Sequence, residues 1–284
     1  MQGYLTLATG SRLYLEIALN LALSLKLNDP ARPLCLVTDA GMDIPDTYRP
    51  FFDRIVILSP RPGFHGCLDK LRTNEVSPYD ETMFIDSDCL LIKNDMDRHW
   101  TKFSGNGFMI AGGKQTQGHW YNFSISDAIE KLDIPYMVQM NSGVFYFRKG
   151  AEADLFFRTA LELVEQHKEL LGSRHRNRLQ LADEPFIGAA LGKLIIEPIG
   201  YDPAEGSIMI TTVRSSKESF DPFMHTSQIV KHSDFRILGR FFPGTSVRHS
   251  PSLAHFVKLR PRNLYNRLSD ALRRHYNLES MRFR

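Results

Sequence analysis

The stretch Glu81-Thr82-Met83-Phe84-Ile85-Asp86-Ser87-Asp88 sets two carboxylates two residues apart where an apolar run ends. Residues i and i+2 of an extended chain point the same way, so Asp86 and Asp88 can converge on one ligand. Oxygen ligands of this kind suit a hard divalent cation, Mg2+ or Mn2+, that keeps open positions for phosphate oxygens. A nucleotide diphosphate is held in that way. A carboxylate pair at a strand end is also a common turn or helix-capping device, and the surrounding chain has to decide between the two roles.

The elements that must position the pair are legible upstream. Residues 4–9, 33–39 and 54–58 read as strands, each followed by Gly or Pro and separated by helical or turn-rich segments. That order argues for right-handed βαβ units in an α/β fold: a mainly parallel, mixed central sheet with helices on both faces. Ligands of such sheets bind beyond the carboxyl ends of the strands, where Asp86, Asp88 and Asp39 all fall. The apolar segment 13–27 is interrupted by Glu16, Asn20 and Lys26, and Leu13, Ile17, Leu21 and Ser24 recur at helical spacing. It predicts an amphipathic helix instead of a signal peptide or membrane span. Cys35, Cys67 and Cys89 show no paired spacing, which fits a reducing, cytoplasmic setting.

With 284 residues, 43% of them hydrophobic, the chain can bury one large core. Its net charge of +3 hides an asymmetry. Residues 258–284 hold eight basic and two acidic residues, a net +6, so residues 1–257 carry −3. Within that basic segment Leu264, Tyr265, Leu268, Ala271, Leu272 and Tyr276 recur at helical spacing among Arg267, Arg273 and Arg274. The pattern divides the chain into a body, 1–257, and a basic C-terminal helical extension, 258–284. The extension can rest on an anionic membrane, at its inner face, or dock on the body with a charged face to solvent. No nucleic-acid partner is expected.

Several separated segments resemble glycosyltransferase family 8, a family of GT-A fold, and the resemblance spans most of the chain. Met83-Phe84-Ile85-Asp86-Ser87-Asp88 resembles its Asp-x-Asp element, and Lys70-Leu71 the helix start whose lysine reaches the donor sugar. Met140-Asn141-Ser142-Gly143-Val144 resembles the Asn-Ser-Gly-Val strand entry, where Asn141 can offer its amide to a sugar hydroxyl. Asp183-Glu184 resembles the Asp-Gln element beside the transferred sugar, with Glu184 in place of the expected Gln. Leu253-Ala254-His255-Phe256 resembles the His-Phe element, whose histidine is the third protein ligand of the metal. The Gly and Lys-Pro-Trp that follow in the family are out of register here, so Lys258 or Arg260 must grip the diphosphate. The strand entry 5–9 with Tyr14 resembles the nucleotide-binding entry, which assigns Ala8, Thr9 and Tyr14 to the base and Ser87 to the donor site.

Ordinary structural roles compete at several of these positions: a solvated Lys70, an Asn-Ser-Gly turn, an Asp183 helix cap, a packed His255 and a packed Tyr14. The resemblance implies transfer of a hexose from a UDP-linked donor to an acceptor hydroxyl with retention of configuration. Asp86, Asp88 and His255 would hold Mn2+ or Mg2+; Lys70, Asn141, Asp183 and Glu184 would surround the sugar. In such chemistry the departing phosphate can take the acceptor's proton, and no dedicated base is required. The acceptor would be a glycan, lipid-linked or protein hydroxyl. The alternative is a catalytically inactive nucleotide-sugar-binding or scaffold protein of the same fold. A two-carboxylate hydrolase fits less well, because Asp86 and Asp88 share one face. The segment 117–122, with Trp120 and Tyr121, is either an acceptor-site loop or core packing.

Overall fold

The computed structural model describes residues 1–64, 66–175, 178–200, 209–215, 217–232, 235–237, 240–242 and 246–283. Its central sheet is built from β1 (Gln2–Ala8), β2 (Leu34–Asp39), β3 (Arg54–Leu58) and β4 (Glu81–Ile85) in the first half. A short β5 (Cys89–Leu91) follows outside the sheet. β6 (Phe108–Gln115), β7 (Met137–Arg148) and β8 (Ile199–Gly200) complete the sheet in the order β8-β6-β7-β4-β1-β2-β3. β1, β2, β3 and β4 pair in parallel, as does β8 with β6, while β7 runs antiparallel to both β4 and β6. The mainly parallel mixed sheet expected from the sequence is therefore present.

Period-two alternation explains how this sheet feeds two cores. Tyr4, Leu34, Leu36, Met83, Ile85, Val144 and Tyr146 face one layer, formed by α1 (Arg12–Asn28) and the C-terminal helix. Their neighbours Leu5, Cys35, Val37, Phe84, Phe145 and Phe147 face the other layer, formed by α2 (Ala151–Leu171) and α3 (Asp183–Lys193). Phe84 stacks on Phe145 at 4.6 Å and Phe108 on Phe145 at 5.5 Å. Each such ring contributes about 1.5–3 kcal/mol by burial. The antiparallel β7 is thus fastened to the strand that ends at Asp86. The apolar run Ile195-Ile196 before Pro198 is not itself a strand, and pairing begins only at β8. Pro198 has no N–H for a ladder, and Ile195 is 66% exposed with φ 54 just past α3.

The helix at 13–27 corrects the amphipathic expectation. It is buried from Leu15 to Leu25 on every face, including Glu16, Asn20 and Ser24, whereas Leu13 is 45% exposed. In the same layer α1 is joined by α4 (Arg262–His275), which docks on the body by Leu264, Tyr265, Leu268 and Leu272. Its Arg273 is 1% exposed and donates to Asn20 Oδ1 at 2.7 Å and Glu16 Oε2 at 3.0 Å. Asn20 donates in turn to Tyr265 Oη at 3.1 Å. The basic helix thus packs on the body while Arg267 and Arg274 stay exposed. Among the described residues no helix is long and apolar enough to cross a membrane. Asp39 closes the β1–α1 turn, where its carboxylate accepts from the N–H of Gly10, held at φ 81.

Candidate active site

At the end of β4 the chain turns rather than continuing: the Asp86 N–H donates to Gly143 O at 2.8 Å, and Cys89 N–H to Asp86 O at 3.0 Å. β5 then leaves the sheet and pairs with β10 (Leu253–His255), which pairs on its other side with β9 (Ile210–Thr212). Because β5 and β10 are antiparallel, with Cys89 opposite His255, a histidine distant in sequence arrives beside Asp88. Phe256 N–H locks the crossing by donating to Asp88 O at 2.9 Å. The resulting triad is tight. His255 Nε2 lies 3.0 Å from Asp88 Oδ1 and 3.9 Å from Asp86 Oδ2.

The other ring nitrogen explains the orientation. Asn141 Oδ1 accepts from Gly143 N–H at 2.9 Å, which fixes the amide, and also faces His255 Nδ1 at 3.1 Å. Nδ1 must therefore carry the hydrogen, and Nε2 is the atom turned toward the carboxylates. Gly143 is required here: a Cβ would come within 2.8 Å of Asn141 Oδ1 and 3.0 Å of the imidazole. Burial opposes a charged ring, but Asp88 and then Asp86 raise the His255 pKa overall. Burial likewise raises Asp86 against the pull of Lys70, with Asp88 adding to the rise. Cys89 Sγ also comes within 4.8 Å of ligand atoms of Asp88 and His255. Burial and then the two aspartates push that thiol's pKa up. Two carboxylates and one imidazole form a donor set able to hold a divalent cation such as Mn2+.

Behind the triad, the 3-10 helix Gly66–Arg72 delivers Lys70. Its Nζ is 2.8 Å from both carboxylate oxygens of Asp86, 3.2 Å from Ser142 Oγ and 3.4 Å from Asp183 Oδ2. Burial disfavours the ammonium, yet Asp183 and Asp86 hold its pKa well above the usual value. Asp183 is not the helix cap. Ala182 takes that place, and Asp183 opens α3 with an Oδ2 that has no hydrogen-bond partner. Glu184 accepts from Ser142 N–H at 3.2 Å and from Tyr121 Oη at 2.7 Å. Burial and the adjacent Asp183 raise its pKa.

Neither a protein-family model nor a curated protein matches the chain. Solved structures do. The galactosyltransferase LgtC, crystallised in complex with donor and acceptor sugar analogues, aligns with a TM-score of 0.54 and 12% identity, covering 97% of this chain and 100% of that one. An active-site mutant of LgtC carrying Glu for Gln aligns at 0.50 and 14% identity, covering 90% and 86%. The chain has a GT-A fold.

In this GT-A fold the triad and its supports form the floor of a cleft of about 900 Å³, lined also by Tyr14, Tyr121, Asn141 and Lys258. An adjoining space of about 200 Å³ is lined by Thr9, Tyr14, Ser87 and both aspartates. The structure therefore gathers Thr9, Tyr14, Lys70, Asp86, Ser87, Asp88, Asn141, Asp183, Glu184, His255 and Lys258. Two expected residues stand apart. Ala8 is fully buried behind the wall, its carbonyl accepting from Thr38 Oγ1 at 2.8 Å, and Arg260 is exposed outside the lining. Trp120 and Tyr121 divide the two roles left open for their segment. Trp120 is 7% exposed against α3, while Tyr121 is 46% exposed and reaches Glu184. Sequence reasoning missed Arg262, Met281, Arg282 and Phe283, which also line the cleft. No spacing signal pointed to them, because they arrive by the docking of α4 and the chain that follows it.

Proposed function

We propose that this protein is a metal-dependent glycosyltransferase that moves a hexose from a UDP-linked donor to an acceptor hydroxyl with retention of configuration. The observation that carries this reading is the convergence of Asp86, Asp88 and His255 on the floor of a cleft large enough for a nucleotide sugar, with the imidazole 3.0 Å from one carboxylate and 3.9 Å from the other. When bound, Mn2+ or Mg2+ would neutralise the diphosphate and stabilise charge on the departing UDP.

The chain's own residues supply the rest. Asn141 fixes the His255 tautomer, and Lys70 holds Asp86 and Asp183 apart from one another's charge. Asp183 and Glu184 place negative charge beside the sugar, where it opposes positive charge growing at the anomeric carbon as the glycosidic bond breaks. Ser142 N–H and Tyr121 Oη keep the Glu184 carboxylate in position. Tyr14, 48% exposed at the cleft wall, offers a ring face to the base. The acceptor enters beside Tyr121 as a glycan, lipid-linked or protein hydroxyl. The exposed Arg267 and Arg274 give α4 an outer face suited to an anionic cytoplasmic leaflet bearing a lipid-linked acceptor.

The test is UDP release from a panel of UDP-hexoses with Mn2+, with EDTA, and with the Asp88→Asn variant. Metal-dependent release with one donor, lost in the variant, is expected. If Mn2+ raises neither UDP release nor donor affinity, the enzyme reading fails.

A further inference from the structure

The cleft combines an acidic floor with cations that nothing answers. Lys258, Arg262 and Arg282 all line it, and among the described residues none of the three forms an ion pair or a side-chain hydrogen bond. Arg273, on the same helix as Arg262, is by contrast enclosed by Glu16 and Asn20.

Arg282 reaches the cleft by a defined route. After α4 the chain reverses at Asn277, held at φ 56, and Leu278 N–H donates to Arg273 O at 2.9 Å. It then runs back along the helix toward Arg262: Met281 N–H donates to Asp270 Oδ1 at 3.2 Å, and Phe283 N–H to Asn266 Oδ1 at 3.1 Å. Asn266 returns the bond from Nδ2 to Phe283 O at 3.1 Å. The Phe283 ring, 6% exposed, sits edge-on to Tyr265 at 5.4 Å. A polar clamp and a buried aromatic on either side of Arg282 are more than a trailing segment needs.

Lys258 is a second, independent sign. It and Leu259 lie at φ 55 and φ 56, consecutive left-handed residues that are not glycine. That conformation disfavours any residue with a Cβ, and such strain collects where function over-determines the backbone. Leu259 is buried and anchors the turn, which leaves Lys258 facing the cleft.

We propose that the segment after α4 is part of the donor site, and that Arg282, together with Lys258 and Arg262, grips the donor's diphosphate. The inference rests on the glycosyltransferase reading above. The acidic floor alone would repel a diphosphate; these three side chains offset that charge from the opposite wall, as a cation held by Asp86, Asp88 and His255 would from the floor.

The experiment is calorimetric titration of the full-length protein with UDP, and separately with uridine, in Mn2+. Arg282→Ala should weaken UDP about tenfold, the size of one lost charge-assisted hydrogen bond, and leave uridine unchanged, with Arg282→Lys recovering part of the loss. Asn266→Ala, which keeps Arg282 but removes its clamp, should show a loss of the same kind. Lys258→Gly should weaken UDP while raising the melting temperature, since the strain goes with the charge. Arg267→Ala, exposed and outside the lining, is the control. UDP affinity unchanged in Arg282→Ala, or uridine weakened as much as UDP, overturns the inference. A parent protein that binds neither ligand in Mn2+ would instead remove the functional reading beneath it.

Discussion

Two buried charge networks in this molecule end in opposite states. Between α1 and α4, Arg273 is enclosed by Glu16 and Asn20, and Glu16 is met in addition by Arg12 at 3.6 Å and by Tyr48 Oη, which donates to its Oε2 at 2.9 Å. Under the cleft, Asp86, Asp88, Asp183 and Glu184 face one ammonium and one imidazole, and Asp183 Oδ2 has no hydrogen-bond partner. The first network closes on itself and ties the C-terminal helix to the body. The second carries surplus negative charge at a cleft wall, an arrangement that costs stability unless a cation enters. The contrast sets a structural ion network apart from the candidate site.

The contrast breaks first at Arg273. Arg273→Ala removes the buried partner of Glu16 and leaves it the half-exposed Arg12, 3.6 Å away, and the Tyr48 hydroxyl, and chemical denaturation should show a loss of about 3 kcal/mol. Replacing Glu16 and Arg273 together by Leu and Met should recover much of that loss. A single-variant cost below about 1 kcal/mol would mean the seam is not the closed network described. Asp88→Asn should do the reverse, lowering kcat about 10²–10³-fold while leaving stability within about 1 kcal/mol of the parent, because it removes a like charge beside Asp86. An equal collapse in stability would make the floor structural.

Acid sensitivity belongs to the structural side. Burial, then the neighbouring Arg98, lowers the His99 pKa from 6.5 to about 4, and its Nε2 meets Ser252 Oγ at 2.9 Å. The unfolded chain therefore binds more protons between these values. The stabilisation is fully present above pH 6.5 and is lost as pH falls toward 4, with a total on the order of 3 kcal/mol. Unfolding free energies measured from pH 7 to 4.5 should fall in the parent and fall less in His99→Gln; parallel profiles would exclude His99 as the cause. The smallest effect sharpens the site. Asn141→Ala should weaken Mn2+ binding about ten- to a hundredfold by releasing the His255 ring, with little change in melting temperature. Undiminished Mn2+ affinity in a direct titration would separate Asn141 from the metal.

Much of this was legible in the chain because the signals are local. The Asp86/Asp88 spacing, the strand runs ending at Ala8, Asp39 and Ile85, and the Asn-Ser-Gly entry each express period-two or turn chemistry within a few residues. The reading of α1 failed for a related reason. Helical periodicity reports one apolar face, but a helix covered on all sides also buries its polar residues, and only the partner helix shows that Glu16 and Asn20 are satisfied. Ala8 and Arg260 follow from motif resemblance along the chain, which carries no information about which side of a wall a residue meets.

The sequence by itself determined the alternating strands, the carboxylate pair and the residue types available to hold a cation, since these depend on neighbours a few positions apart. The tertiary structure decided that the β5–β10 crossing sets His255 against Asp88, that Lys70 and Asp183 meet behind them, and that Arg282 returns to the cleft along α4. Those contacts join residues separated by long stretches of chain, and only the packing of strands and helices into one core chooses which distant side chains become neighbours.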